Sequence, residues 1–308
     1  MTGVQAPAAV VMVRPHRFTP NPETAADNRF QSVAAADMAQ AIAAAAHAEV
    51  GAAAARLEAA GVRVHLFDDD GSRDTPDSVF PNNWFSTHPD GQVALYPMYS
   101  PSRRRERRGD IIDMLKREYR VRQVVDYSGL EQDQLYLEGT GAMVLDHVER
   151  VAYMACSNRA SREVLARFAA QFNYEPFAFD SADAGGRPVY HTNVLMCVAS
   201  RFALVGLELI PSPERRAQLR ARLQRSGREV IALDHRQIGE FAGNALELGG
   251  SDGPLLALSA RAEASLGPAQ RAAIARSARL LPLAVPTIEM AGGSVRCMLA
   301  GIHLAPRR

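Results

Sequence analysis

The chain has 308 residues, 47% of them hydrophobic, with 35 Lys and Arg against 34 Asp and Glu. That length serves one large domain or two small ones, and a net charge of +1 gives no electrostatic case for nucleic acid as the main partner. The three cysteines, Cys156, Cys197 and Cys297, show no paired spacing and fit a reducing compartment better than a disulfide framework.

The first residues, "MTGVQAPAAVVMVRP", carry no basic residue ahead of their short apolar run and do not read as a signal peptide. Within them "AVVMVRP" predicts a strand. The Ala-rich stretch from Ser32 to Gly61 predicts a long helix or a helix pair. Asp37, Gln40, His47, Glu49, Arg56 and Glu58 inside it exclude a membrane span. "RVHLFD" predicts the return strand.

Four segments of roughly fifty residues follow, starting at Val79, Tyr136, Val189 and Glu240, and they share one grammar. Each opens on a Gly- or Asn-bearing stretch and a short apolar strand. Each turns at "HPDG", "DHVE", "VASR" or "GGSDG" and returns along "VALYP", "VAYMA", "FALVGL" or "LLALS". Ser, Asn and Pro in "SPS", "SNRAS", "PSPE" and "SLGPAQ" then signal a helix start. An amphipathic helix and a third strand complete a β-β-α-β unit. The Arg-rich "SRRRERR", Ser102 to Arg108, precedes one of these helices without interleaved aromatics and reads as solvated surface.

The chain before Val79 is a divergent fifth unit, and "RCMLAGIHLAP" is left over as a strand that completes its sheet. Five such units closed about an axis make a five-bladed α/β propeller, a single domain over residues 1–308 with no exposed strand edges. The competing architecture is an open α/β sheet in two domains.

In a ring the first strands line the axis, so the residues at their starts converge: Asn82 and Asn83, Glu138, His191 and Asn193, and Cys297. Glu138 and His191 stand 53 residues apart, and His191 and Cys297 twice that. Singly, each has a bland reading as a core thiol, a structural imidazole, a solvated carboxylate or a turn. At equivalent places in successive repeats they make a catalytic set. Cys297 is the nucleophile, which must act as thiolate. Its neighbour Arg296 is pointed away by strand alternation. His191 is general acid to a leaving amine and then base for water, and Glu138 orients His191 or accepts a substrate N–H. No common zinc-ligand spacing surrounds these residues, so neither metal nor cofactor is expected.

The ordered motifs "LEGTGAMVLD", "YHTNVLM" and "GGSVRCM" resemble the guanidino-group-modifying enzymes, the amidinotransferase/arginine deiminase superfamily known as penteins, over essentially the whole chain. The resemblance implies the five-fold propeller, a Cys–His–Glu set with a covalent intermediate on Cys297, and no metal or organic cofactor. Guanidine-cleaving members generally carry a carboxylate at the position of Asn83, and deiminases a His-x-Asp where this chain has His191-Thr192-Asn193. Carboxylates suit the donor fork of a guanidinium. An amide, with both a donor and an acceptor, suits a neutral ureido group.

With "PDSVFPNNWFSTHPDG", the pattern looks most like citrulline hydrolases, which give ornithine, carbon dioxide and ammonia. Succinylarginine dihydrolases resemble the Asn-rich pattern and accept a guanidine first. A guanidine hydrolase of the arginine deiminase or dimethylargininase kind therefore stays open, as does an amidinotransferase. A non-catalytic binding propeller is argued against by Cys297, His191 and Glu138. Asn83 and Asn193, with Asn82, are expected on the ureido plane. Arg17 is expected at the amino-acid end, chosen from Arg14, Arg17, Asn21, Glu23 and Arg29 of the polar loop after the first strand, and Asp77 is a further substrate-binding candidate, although its "DTPDS" reads equally well as a turn. The expected partner is a small molecule in the cytoplasm, with no nucleic acid and no membrane; a homodimer is compatible with the sequence.

Overall fold

The computed structural model describes residues 4–32 and 38–307. β1 (Ala9–Pro15) and β2 (Arg63–Asp69) are parallel and are joined through the helix Ala39–Ala59. That helix buries Ile42, Ala46, Val50, Ala53 and Leu57, the spacing of one helical face. Residues 33–37 of the predicted Ala-rich helix lie outside the described residues.

Each of the four segments then makes a three-stranded sheet. Their strands are β3 (Phe85–Thr87), β4 (Gln92–Leu95) and β5 (Gln123–Asp126); β6 (Met143–Asp146), β7 (Val151–Cys156) and β8 (Glu175–Asp180); β9 (Met196–Val198), β10 (Phe202–Val205) and β11 (Glu229–Ala232); and β12 (Leu246–Gly250), β13 (Gly253–Ser259) and β14 (Arg279–Leu283). In every one the first strand is antiparallel to the second and the second parallel to the third. β15 (Ala300–Gly301) pairs antiparallel with β1, Val10 opposite Gly301 and Val11 opposite Ala300. It thus completes the first sheet on the same plan, as the leftover C-terminal segment predicts.

Burial falls from first strand to third. β3, β6 and β9 are buried at every residue, whereas β5, β8 and β11 carry exposed positions. The apolar first strands are therefore the interior ones. The helix starts follow the sequence signals: the Ser161 hydroxyl accepts from Glu163 N at 3.2 Å and that of Ser212 from Arg215 N at 3.1 Å. After "SPS" the chain makes a four-residue helix, Pro101–Arg104, and only then the helix Gly109–Glu118.

The starts of the first strands differ from expectation. They are single helical turns, Pro81–Asn83, Gly139–Ala142, Thr192–Leu195 and Val295–Met298, so Cys297 sits on a turn rather than on a strand. Backbone bonds close these turns before the ladders begin, as in Cys297 N to Ser294 O at 3.0 Å and Ala142 N to Glu138 O at 2.9 Å. The turns pack against one another closely enough to require glycine. A Cβ on Gly139, at φ +47°, would lie 2.5 Å from the Asn82 carbonyl oxygen, and one on Gly243 would lie 2.5 Å from that of Val194. Among the described residues no helix is long and apolar enough to cross a membrane.

A buried ion pair ties two neighbouring sheets. Arg228, just before β11, donates from Nη1 and Nη2 to Asp146 at the end of β6 at 2.6 and 3.0 Å, and from Nε to the Ala199 carbonyl at 2.6 Å. Asp146→Ala leaves that guanidinium buried and uncompensated, and is expected to remove about 3–5 kcal/mol of stability in urea unfolding. A loss below about 1 kcal/mol would show that the pair is not needed once the sheets are packed.

Candidate active site

The helical turns bring the candidate side chains together around one small cavity. Asp77, Asn83, His191 and Cys297 line it, with Thr24, Asn28, Phe80, Arg103, Arg159 and Tyr190. Glu138 lies directly behind His191. It is fully buried, and its Oε2 is 2.8 Å from His191 Nε2, while its Oε1 accepts from Tyr99 N at 3.0 Å. Arg103 and Arg159 each approach Glu138 at 3.6 Å. Burial would raise the Glu138 carboxyl, but Arg159, the His191 hydrogen bond and Arg103 outweigh it and hold it well below the usual carboxylate range.

His191 is itself buried. Burial lowers its pKa, Glu138 opposes, and the two arginines add to the lowering, so the ring is neutral at pH 7. With Nε2 donating to Glu138, Nδ1 is left to take a proton. Nothing bulkier than glycine fits beside it, because a Cβ on Gly141 would lie 2.8 Å from His191 Nδ1 and 2.2 Å from the Asn83 side-chain amide.

The Cys297 sulfur receives two amide donors, Asn193 Nδ2 at 3.4 Å and Asn244 Nδ2 at 3.3 Å. Asn244 is held in turn, since its Nδ2 also donates to the Asn193 carbonyl at 3.0 Å and its Oδ1 accepts from Arg296 N at 3.0 Å. Asn244 is missing from the sequence-derived set, although its signal is there. It stands 53 residues before Cys297, the same step that separates Glu138 from His191, and it opens the last repeat in "AGNALEL".

Arg103 corrects the reading of "SRRRERR" as solvated surface. It is 2% exposed and bidentate with Glu106 at 2.9 and 3.0 Å. It also lies 3.8 Å from Asp77. The Asn83 amide, with its oxygen toward Arg103, accepts from both Nη atoms at 2.9 Å. Burial works against the charge on Arg103, but Glu106, Asp77 and Glu138 outweigh it and raise its pKa. Arg159, from "SNRAS", is equally buried; it pairs with Asp27 and lies over the Tyr190 ring at 4.9 Å.

Asp77 is buried, with Oδ2 accepting from Asn21 Nδ2 at 2.9 Å and Oδ1 without a partner among the described residues. Four of the sequence candidates are not among the lining residues: Glu138 stands behind His191 and Asn193 against the Cys297 sulfur, while Asn82 and Arg17 touch neither. Asn82 shares the turn with Asn83, but successive residues of a turn diverge. Its carbonyl takes the Thr140 hydroxyl at 3.1 Å, and it is not among the lining residues. Arg17 is exposed and lies over Gly71, where a Cβ would meet its side chain at 2.5 Å. The polar loop instead contributes Thr24 and Asn28 to the lining and Asn21 to the support of Asp77.

Among the described residues a metal-ligand grouping occurs at His16, His47 and Asp68, outside this cavity. Its carboxylate is already bonded by Arg14 at 2.7 and 3.1 Å.

The family described as N,N dimethylarginine dimethylhydrolase, eukaryotic, matches residues 14–304 of the chain. No curated protein matches it. Among solved structures, the substrate-bound N-terminal domain of ArgZ, an arginine dihydrolase from the ornithine–ammonia cycle in cyanobacteria, is 15% identical. The match covers 96% of this chain and 98% of that one, with a TM-score of 0.70. Unliganded AgrE is 16% identical over 97% of this chain, with a TM-score of 0.71, and the match spans 40% of its length. A dimethylarginine dimethylaminohydrolase adduct with S-methyl-L-thiocitrulline is 15% identical over 95% of this chain and 98% of that one, with a TM-score of 0.61. At these identities the likeness is one of fold.

Asn244→Ala removes one of the two donors at the sulfur. It is expected to lower kcat about 10- to 100-fold, the worth of one hydrogen bond to a charged group, with KM little changed. An unaltered kcat in a folded variant would remove Asn244 from the site.

Proposed function

The chain belongs to the N,N dimethylarginine dimethylhydrolase family, hydrolases of a non-peptide C–N bond, and from that premise we propose that it hydrolyses the ureido C–N bond of citrulline through a covalent intermediate on Cys297. We read its five sheets as the blades of a closed α/β propeller forming one domain over residues 1–308, which sets the starts of the first strands around a common axis. The observation that carries the substrate reading is the character of the reacting end. Asn83 and Asn193 face the cavity or the sulfur, and the carboxylate beside the imidazole, Glu138, has both oxygens committed. Amides match one carbonyl oxygen flanked by N–H donors without a buried charge to neutralise.

The proposed steps are these. The Cys297 thiol gives its proton to His191 Nδ1, and the thiolate attacks the ureido carbon while Asn193 and Asn244 stabilise the sulfur. The C–N bond breaks as His191 returns the proton to the departing nitrogen, leaving a carbamoyl thioester. His191 then takes a proton from water, whose oxygen attacks the carbonyl carbon. The C–S bond breaks, and the carbamate falls to carbon dioxide and ammonia beside ornithine. Glu138 holds the imidazole in place throughout. Asp77 Oδ1 is the acceptor left open for a substrate N–H, while Arg103 and Arg159 stay with Glu138 behind His191. The cavity holds about 10 Å³ as it stands, room for a single water, so the segment carrying Thr24 and Asn28 moves to admit substrate.

A second reading, hydrolysis of a guanidino group as in arginine or its methylated forms, is favoured by the family's description and by the uncommitted Asp77 oxygen that lines the cavity.

Incubating the purified protein separately with citrulline, arginine and methylarginines separates the two. Ornithine from citrulline, with no ammonia from arginine, is the expected result; citrulline accumulating from arginine would overturn the first reading in favour of the second. Cys297→Ala is expected to lose about 10⁴-fold or more in kcat with the fold intact, and Asp77→Asn to raise KM more than it lowers kcat.

A further inference from the structure

A second polar cavity takes no part in the chemistry above. Residues from the first strand of every sheet line it, among them Thr87 of β3, Leu145 of β6, Cys197 of β9, Leu246 of β12 and Gly301 of β15. Gln5 closes one end, its Nε2 donating to the Leu145 and Val198 carbonyls at 3.0 and 2.8 Å and its Oε1 accepting from His147 N at 2.9 Å. About 30 Å³ is open inside, room for roughly two water-sized spheres.

The cation in this void is Arg296. The arginines most deeply buried in the described structure, Arg103, Arg159, Arg222 and Arg228, each pair with at least one carboxylate. Arg296 does not. Its one side-chain hydrogen bond runs from Nη1 to the Leu299 carbonyl at 3.0 Å, and no carboxylate pairs with it among the described residues. The other ionisable groups lining the cavity are His147 and His303, stacked at 3.7 Å, and Cys197. Burial and neighbouring cations leave both rings neutral, so they bring no counter-charge. Arg296 is half-buried, and its guanidinium lines this small cavity with N–H groups to spare and no carboxylate paired with it among the described residues.

We propose that this axial cavity binds one small monovalent anion on Arg296, of the class of formate, nitrate, bicarbonate or a halide. The void admits nothing much larger, and the guanidinium fork suits a planar oxyanion. The site touches the chemistry from behind. Arg296 N is bonded to Asn244 Oδ1, and Asn244 Nδ2 donates to the Cys297 sulfur. An anion on Arg296 thus sits one residue from Cys297 and within one hydrogen bond of the amide that contacts its sulfur. The carbon dioxide released by ureido hydrolysis hydrates to a member of this class; that link rests on the proposed function, and the binding does not.

The test uses the full chain without substrate. Its melting temperature is followed at constant ionic strength against millimolar formate, nitrate, bicarbonate, bromide and sulfate, and crystals in bromide are examined for anomalous density. Saturable stabilisation of about 3 °C at tenfold over half-saturation is expected for the small anions. It should be absent for sulfate and lost in Arg296→Met, with bromide density beside the guanidinium. Stabilisation equal in Arg296→Met, no saturation with any small anion, or bromide density elsewhere but not in the cavity would each overturn the proposal. Should the variant fail to fold, the bromide position in the native protein decides.

Discussion

The site depends on one buried carboxylate. Glu138 is fully enclosed, and an enclosed charge persists only where its surroundings answer it. Here a backbone N–H, an imidazole and two guanidinium groups do so, from three stretches of chain: Tyr99 and Arg103 from one, Arg159 from the next and His191 from a third. The carboxylate therefore fixes the tautomer of His191 and gathers the two arginines to the cavity. These arginines have further acidic partners, Arg103 in Glu106 and Asp77 and Arg159 in Asp27. The result is a charge network that spans the polar loop and the first three of the four segments. Its members could not be exchanged singly for apolar residues without stranding the others.

Much of the fold was legible because it repeats. One apolar pattern, one turn and one helix start recur four times, and the fifth copy is recognisable by its strands alone, β1 matching "AVVMVRP" residue for residue. The pairing of β15 with β1 was legible by elimination, as a strand without a sheet and a sheet short of one. The single helical turns were not, because a run such as "GTGAMVLD" has no helical period over four residues and its apolar end dominates the reading. Position in the repeat picked out Glu138, His191, Asn193 and Cys297, which the structure brings together, and the same rule picks out Asn244. Arg103 could not be found that way. In sequence it is one of three consecutive arginines, and only the local break between the helices Pro101–Arg104 and Gly109–Glu118 turns it inward while its neighbours stay half-exposed. Arg17 failed for the complementary reason: a polar loop offers many charged side chains, and spacing does not say which of them faces the cavity.

The division of labour in the cavity bears on substrate choice. Both readings share the attack of a thiolate on a planar carbon bonded to nitrogen. They differ in whether the third substituent is oxygen or a protonated nitrogen. The reacting end carries amides, and the uncommitted carboxylate oxygen belongs to Asp77, which leans on Arg103 and Asn21. A ureido and a guanidino group are close to isosteric while differing by a full unit of charge, so it is charge rather than shape that separates the two readings.

The partner of β1 lies some 290 positions downstream, at Ala300 and Gly301, whereas the other four sheets close within about fifty residues of their own first strand. During synthesis those four can pair almost as soon as they leave the ribosome, while β1 must wait beside β2 with one side unpaired. The turn that carries the nucleophile immediately precedes β15. The reactive thiol is therefore placed by the same late event that finishes the first sheet. A growing chain has its acid–base pair, its arginines and its carboxylates before it has anything with which to attack.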